Sequence, residues 1–233
     1  MRIGRGFLVL ALLTGACRAE AAPPADPGTE PESVATAGQG GEQAMKEGYE
    51  QLLGSWNGRY HKGGWNHYGP GFFELDPETG VLTSHGGMGL FWYSEKEFGD
   101  FVLELDFRCA DLHTNSGIFV RVPGVPTSDD YIYHSLEVQI SDADEGIHQT
   151  GAAYDAEAPT HLASNPPGEW NHYKITFQGD RLVVELNGET VLDWMAEPRG
   201  KVEDLAPRGY IGLQNHDDRS PVSFRNIFLK ELE

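Results

Sequence analysis

Three short stretches carry the side chains best suited to chemistry. In "YIYHSLEVQISD" (131–142), a period of two puts Ile132, Leu136, Val138 and Ile140 on one face and Tyr131, Tyr133, Glu137 and Gln139 on the other. In "SGIFVRV" (116–122), Ile118, Val120 and Val122 alternate with Gly117, Phe119 and Arg121. In "GYIGLQNH" (209–216), Ile211 and Leu213 alternate with Gly212, Gln214 and His216. The polar faces together hold Arg121, Glu137, Gln139, Gln214 and His216. A carboxylate and an imidazole can move a proton, a guanidinium holds an anion, and amides hold hydroxyls. Among Tyr and Phe, that set reads as a sugar or carbonyl site. The alternatives are a solvated face and a structural ion pair between Arg121 and Glu137.

The elements that must position these residues read almost entirely as strands. "FFEL" (72–75), "VLTS" (81–84), "GLFWYS" (89–94), "DFVLELDFRC" (100–109), "WNHYKITFQ" (170–178), "RLVVELN" (181–187), "ETVLDW" (189–194) and "VSFRNIFLKEL" (222–232) join the three stretches above. They are rich in β-branched and aromatic residues, with Gly, Pro, Asn and Asp between them. "QGDRL" and "LNGET" place Gly beside Asp or Asn, as tight hairpins require, and predict a three-stranded meander over 171–194. Arg225 and Asn226 in "FRNI" are expected to tie the last strand to its neighbours. Only 42–53 reads as helix, and there is no repeat, P-loop or dinucleotide-binding glycine pattern. The fold class predicted is all-β, two packed antiparallel sheets in a sandwich or jelly roll.

The chain opens "MRIGRGFLVLALLTGAC", with Arg2 and Arg5 before an apolar run too short to span a bilayer, then Gly15, Ala16 and Cys17. That pattern reads as a secretory leader over 1–17 and resembles a bacterial lipobox, which implies a lipid anchor at Cys17 and a cell-envelope, periplasmic or secreted location. Residues 18–46, rich in Pro and Gly and without a bulky apolar run, read as a tether, and 47–233 as the domain. Cys109 is then the one remaining cysteine and is expected to be a buried thiol. A net charge of −19 argues against nucleic-acid and anionic-membrane partners.

The blocks "NSGIFVR" (115–121), "LEVQISD" (136–142), "TGAAYDAEAP" (150–159), "PPGEWNHYKITFQGDRLVVELNG" (166–188) and "GYIGLQNHDDRSPVSFRNIFLKEL" (209–232) resemble, in order and spacing, the 3-keto-disaccharide hydrolase family, whose members include 3-keto-glucoside lyases and hydratases. The likeness runs from about residue 49 to 232. It implies a concanavalin-like jelly roll with a sugar site on the concave face and an oligosaccharide or glycoside as substrate.

The implied chemistry differs from ordinary glycoside hydrolysis. A ketone at C3 acidifies the hydrogen at C2, so one base can remove it while the aglycone leaves C1 by β-elimination. Water then adds to the unsaturated product, and the net result is hydrolysis. In this sequence the base role falls to Glu137 or His216, with Arg121 as partner of the enolate or of Glu137. Gln139, Asn115, Gln214, Asn215 and Asp142 would hold the sugar, and Trp92, Tyr93 or Tyr154 would offer it an aromatic wall. No cofactor is called for, and the remaining histidines show no metal-ligand spacing. A laminarinase-like site needs Glu-x-Asp-x-x-Glu, whereas "EVQISD" has Gln139 in the middle and Asp142 last, and "ELDFRC" ends in Cys109. The remaining alternative is a non-catalytic, lipid-anchored carbohydrate-binding module.

Overall fold

The computed structural model describes residues 46–233. The expected leader over 1–17 with Cys17, and all but the last residue of the expected tether, lie outside the described residues. Along the chain run β1 (Glu50–Gln51), β2 (Ser55–Trp56), β3 (Arg59–Tyr60), β4 (Trp65–Tyr68), β5 (Phe72–Leu75), β6 (Leu82–His85), β7 (Gly89–Phe98), β8 (Phe101–Cys109) and β9 (Asn115–Val122). A one-turn helix α1 (Tyr131–His134) precedes β10 (Leu136–Ser141). Then follow β11 (Asn171–Gln178), β12 (Arg181–Leu186), β13 (Glu189–Met195), β14 (Gly209–Asn215) and β15 (Val222–Glu231).

These strands form two antiparallel sheets and a small hairpin. The larger sheet has the order β13-β12-β11-β8-β15-β6-β5, with β1 added at β15; the smaller is β10-β9-β14-β7-β4; β2 and β3 pair with each other. The chain is a jelly roll, as its alternation predicts. In β8, Phe101, Leu103, Leu105 and Phe107 are buried while Glu104 and Asp106 point away from the core. They meet Ile118, Val120, Val138, Ile140, Ile211 and Leu213 of the smaller sheet in one apolar layer. Burying each such side chain contributes roughly 1.5–3 kcal/mol. Trp65, Phe91 and Phe73 stack in sequence, at 4.8 and 5.1 Å between centroids. Asn187 and Gly188, both at positive φ, join β12 to β13 as the tight turn predicted for "LNGET".

Arg225 Nε and Asn226 Nδ2 donate to Asp106 at 3.1 and 2.7 Å, tying β15 to β8 as expected. Cys109 is free and buried, and burial pushes its thiol up to about 12.

Two local expectations fail. The helix predicted over 42–53 is, in its described part, a turn followed by β1, which pairs with Leu229 and Phe228 of β15. Residues 131–134, predicted as strand, form α1. The register explains this: Leu136 pairs with Val120, and β9 ends at Val122 just before Pro123. In this register β9 reaches only as far as position 134, so residues 131–133 have no strand to pair with and their backbone groups close locally, Ile132 N donating to Asp129 O at 3.1 Å.

Candidate functional site

With Leu136, Val138 and Ile140 in the core, Glu137 and Gln139 of β10 stand on the outer face of the smaller sheet. Cross-strand pairing sets Glu137 opposite Phe119, Gln139 opposite Gly117, and Ser141 opposite Asn115. β14 follows on the far side of β9 and brings Gln214 to the same face. The free edge of β10 is covered by the loop that follows it. Tyr154 N donates to Glu137 O at 2.9 Å and Gly151 N to Gln139 O at 3.0 Å, which sets the Tyr154 side chain beside Glu137.

Two further segments roof this face. The Tyr131 ring of α1 meets Phe119 edge-on at 5.0 Å. The connection between β13 and β14 is held to α1 by Glu203 N donating to Tyr133 O at 2.8 Å, and to the β10 loop by Arg199 and Glu157 at 2.6 Å. That connection delivers Lys201, whose Nζ donates to Tyr154 Oη at 3.2 Å.

The cavity, open on one side, measures about 130 Å³. Glu137, Gln139, Asn115 and Gln214 form its polar floor, with His216 at one side. Tyr131, Tyr154 and Lys201 face them, and Met88 and Ile132 supply apolar wall. Pockets that enclose drug-sized ligands run to roughly 300–1,000 Å³, so this one suits a single small ring with the rest of its ligand outside.

Glu137 is 5% exposed and makes no side-chain hydrogen bond or ion pair among the described residues. Burial pushes its carboxyl up to about 8, against a smaller opposing pull from the Lys201 charge. Gly117 leaves it room: a Cβ there would collide with the Glu137 side chain. Gln139 Oε1 accepts from Ile140 N at 3.1 Å, which leaves its amide hydrogens for a ligand. Gln214 Oε1 is buried with no partner among the described residues, an acceptor suited to a ligand hydroxyl. His216 is exposed, its Nδ1 2.9 Å from Asp217. Against a burial that raises it, hydrogen bonds from His216, Arg219 N–H and Ser220 hold the Asp217 carboxyl below its usual range.

Six of the residues singled out from sequence thus meet in one cavity: Glu137, Gln139, Asn115, Gln214, His216 and Tyr154. Five do not. Arg121 sits at positive φ (54°) in a β-bulge, where two residues of β9 oppose Ile211 of β14. The extra residue inverts the alternation, so Val122 joins the outer face. Arg121 instead donates to Asp100 at 3.0 Å, its guanidinium 3.6 Å from the Phe177 ring centroid. It does not pair with Glu137.

Asn215 points the opposite way from Gln214 and donates to His85 O at 2.7 Å, stapling the β5–β6 hairpin. Asp142 accepts from Thr150 Oγ1 and Ser164 Oγ at 2.6 and 2.9 Å, so its work is to hold loops. Trp92 is on the outer face but lies buried against Tyr210, 4.8 Å between rings. Tyr93 has core parity and packs edge-on against Trp65.

Lys201, Tyr131, Ile132 and Met88 complete the wall without having been singled out as site residues. Tyr131 carried one weak signal, its place among the polar-face residues of a stretch read as strand. Lys201 carried none, for "PRGKVEDLAPRG" has no periodicity.

Comparison with known proteins bears on the family and the fold. The family model described as "3-keto-alpha-glucoside-1,2-lyase-like domain" matches residues 50–230. A "putative glycosyl hydrolase" of Parabacteroides distasonis ATCC 8503 is 28% identical, covering 79% of this chain and 99% of that one, with a TM-score of 0.65. A second such protein from the same organism is 26% identical, covering 80% and 84%, with a TM-score of 0.56. A Bacillus subtilis protein with a galectin-like fold, 13% identical and covering 72% and 89%, has a TM-score of 0.52 and bears on fold alone. No curated protein matches.

Proposed function

The chain belongs to the family of 3-keto-alpha-glucoside-1,2-lyase-like domains, a carbohydrate-acting family, and from that premise we propose that it cleaves 3-keto-glycosides by β-elimination across C1 and C2, with water then added to the product. Glu137 is the base that takes the C2 hydrogen. The observation that carries this reading is a single buried carboxyl, unpaired among the described residues, on the floor of a one-ring cavity. A carboxylate tuned towards neutral pH accepts a carbon-bound proton far better than one at the usual Glu value, and a placed base contributes ~10²–10⁴ in rate.

The lining also argues against ordinary glycoside hydrolysis. Retaining and inverting glycosidases set two carboxyl groups about the scissile bond. Among the described residues, Glu137 is the one acid that lines this cavity. Gln139, Asn115 and Gln214 hold sugar hydroxyls, and His216 stands at the rim where the departing group emerges. The cell envelope, with a lipid anchor at Cys17, is the location we propose from the leader.

The test compares a chromogenic 3-keto-glucoside with its unoxidised parent. Release from the keto sugar alone, lost by at least ~10² in Glu137→Gln with ligand binding retained, is the expected result. Release from the parent would replace the mechanism with direct hydrolysis. Binding with no turnover of either would make the chain a sugar-binding module.

A further inference from the structure

We infer that Tyr154 is the proton donor to the leaving group, with Lys201 the positioning residue that aims its hydroxyl into the cavity. This rests on the elimination reading above and names the acid that reading lacks.

The argument begins with what each group can do. A lysine ammonium has donors and no acceptor, so in the 3.2 Å contact between Lys201 Nζ and Tyr154 Oη the phenol oxygen must accept. The phenol hydrogen is then turned away from Lys201. No acceptor for it exists among the described residues, while Tyr154 lines the cavity. Its backbone N–H is bonded to the carbonyl of Glu137 itself, so acid and base lie on adjacent, mutually braced segments. Lys201 makes no salt bridge among the described residues, although Glu157, Glu197, Glu203 and Asp204 all lie nearby in its own or the neighbouring loop. Arg199 takes Glu157 and Glu197, His134 takes Asp204, and Glu203 makes no ion pair among the described residues, its backbone N–H bonded to Tyr133 O. The Lys201 charge is thereby left to Tyr154 and the cavity. Asp155, the next carboxylate, pairs with His148 at 3.1 Å.

The steps balance. Glu137 carboxylate takes the C2 proton, the C1–O bond breaks, and the C2–H electron pair forms the C1–C2 double bond conjugated with the C3 ketone. The departing oxygen takes the Tyr154 proton, leaving a phenolate beside the Lys201 ammonium. In the second half, water gives a proton to that phenolate and its oxygen to C1, while Glu137 returns its proton to C2. Both side chains end as they began.

The experiment uses the full chain and 3-keto-glucosides with two leaving groups, 4-nitrophenol and methanol. Nitrophenolate departs without help, whereas methoxide does not. In the first turnover, before hydration calls on Tyr154 as base, Tyr154→Phe should therefore keep nitrophenolate release within about threefold of wild type and lose ~10²–10³ in methanol release. Lys201→Arg should retain most of the methyl activity. Lys201→Met should lower kcat on the methyl substrate with little change in KM, and shift the ascending pH limb upward, because a cation that favours ionised Glu137 is gone. Equal first-turnover losses of Tyr154→Phe on both substrates, or none on either, would overturn the acid role, with circular dichroism confirming that the variant folds. Wild-type enzyme that cleaves neither substrate would overturn the elimination reading itself and the acid role with it.

Discussion

Glu137 is buried, and its side chain fills the space a Cβ at Gly117 would take; pH should reveal the first and mutation the second. A carboxyl held near 8 when folded, against 4.5 ordinarily, keeps a proton that the unfolded chain loses between those values. Stability therefore falls as pH rises from about 4.5 to about 8, and the deficit is complete above that window. Glu137→Gln removes it. Denaturant titrations should find wild type and the Gln variant alike near pH 4, with the variant more stable at pH 9 by on the order of 2–4 kcal/mol. An equal gap at both pH values would mean that Glu137 ionises freely in the fold. Gly117→Ala forces a Cβ against Glu137 and should cost about 1–3 kcal/mol and most of the activity. The same change in a Glu137→Ala background should cost little in stability, because the colliding atoms are gone; an undiminished cost would place the conflict elsewhere.

At the scale of elements, one bulged residue separates the site that parity predicts from the site that forms. Alternation in β10 and β14 is regular where it matters, so Glu137, Gln139 and Gln214 were legible from the sequence. In β9 the extra residue at 120–121 turns Arg121 to the end of the sandwich, where it secures Asp100 and the turn between β7 and β8. Arg121→Met should therefore lower stability by roughly 1–3 kcal/mol, since Asp100 is partly solvated, and leave kcat on the 3-keto-glucoside within about twofold. A loss of turnover without a loss of stability would return Arg121 to the site. A bulge is set by pairing between strands distant in sequence, and no period within "SGIFVRV" encodes it. The same holds for α1, which is helical because β9 has ended, although its own residues favour a strand.

The whole molecule adds a field to the site. With a net charge of −19, it should repel anionic ligands at distances beyond a few ångströms, and salt should weaken that repulsion, since the screening length falls from about 30 Å at 0.01 M to about 10 Å at 0.1 M. A 3-keto-glucoside with a carboxylate aglycone should show KM falling several-fold over that range, and one with a neutral aglycone should show no change. A flat response to salt for both would mean that Lys201 outweighs the surface charge at the cavity mouth.

What the sequence by itself determined follows from local chemistry. Alternating apolar residues and Asn-Gly or Gly-Asp turns specify strands and hairpins within about ten residues, which is why the sandwich, its core and the polar face of β10 are legible in the sequence. The acid role of Tyr154, the cation and the roof could not. Tyr154 reaches Glu137 because a loop pairs with a free strand edge, and Lys201 reaches Tyr154 because an aperiodic connection between β13 and β14 is pinned to α1 and to that loop. Those contacts join segments tens of residues apart, and their positions depend on the packing of the two sheets beneath them.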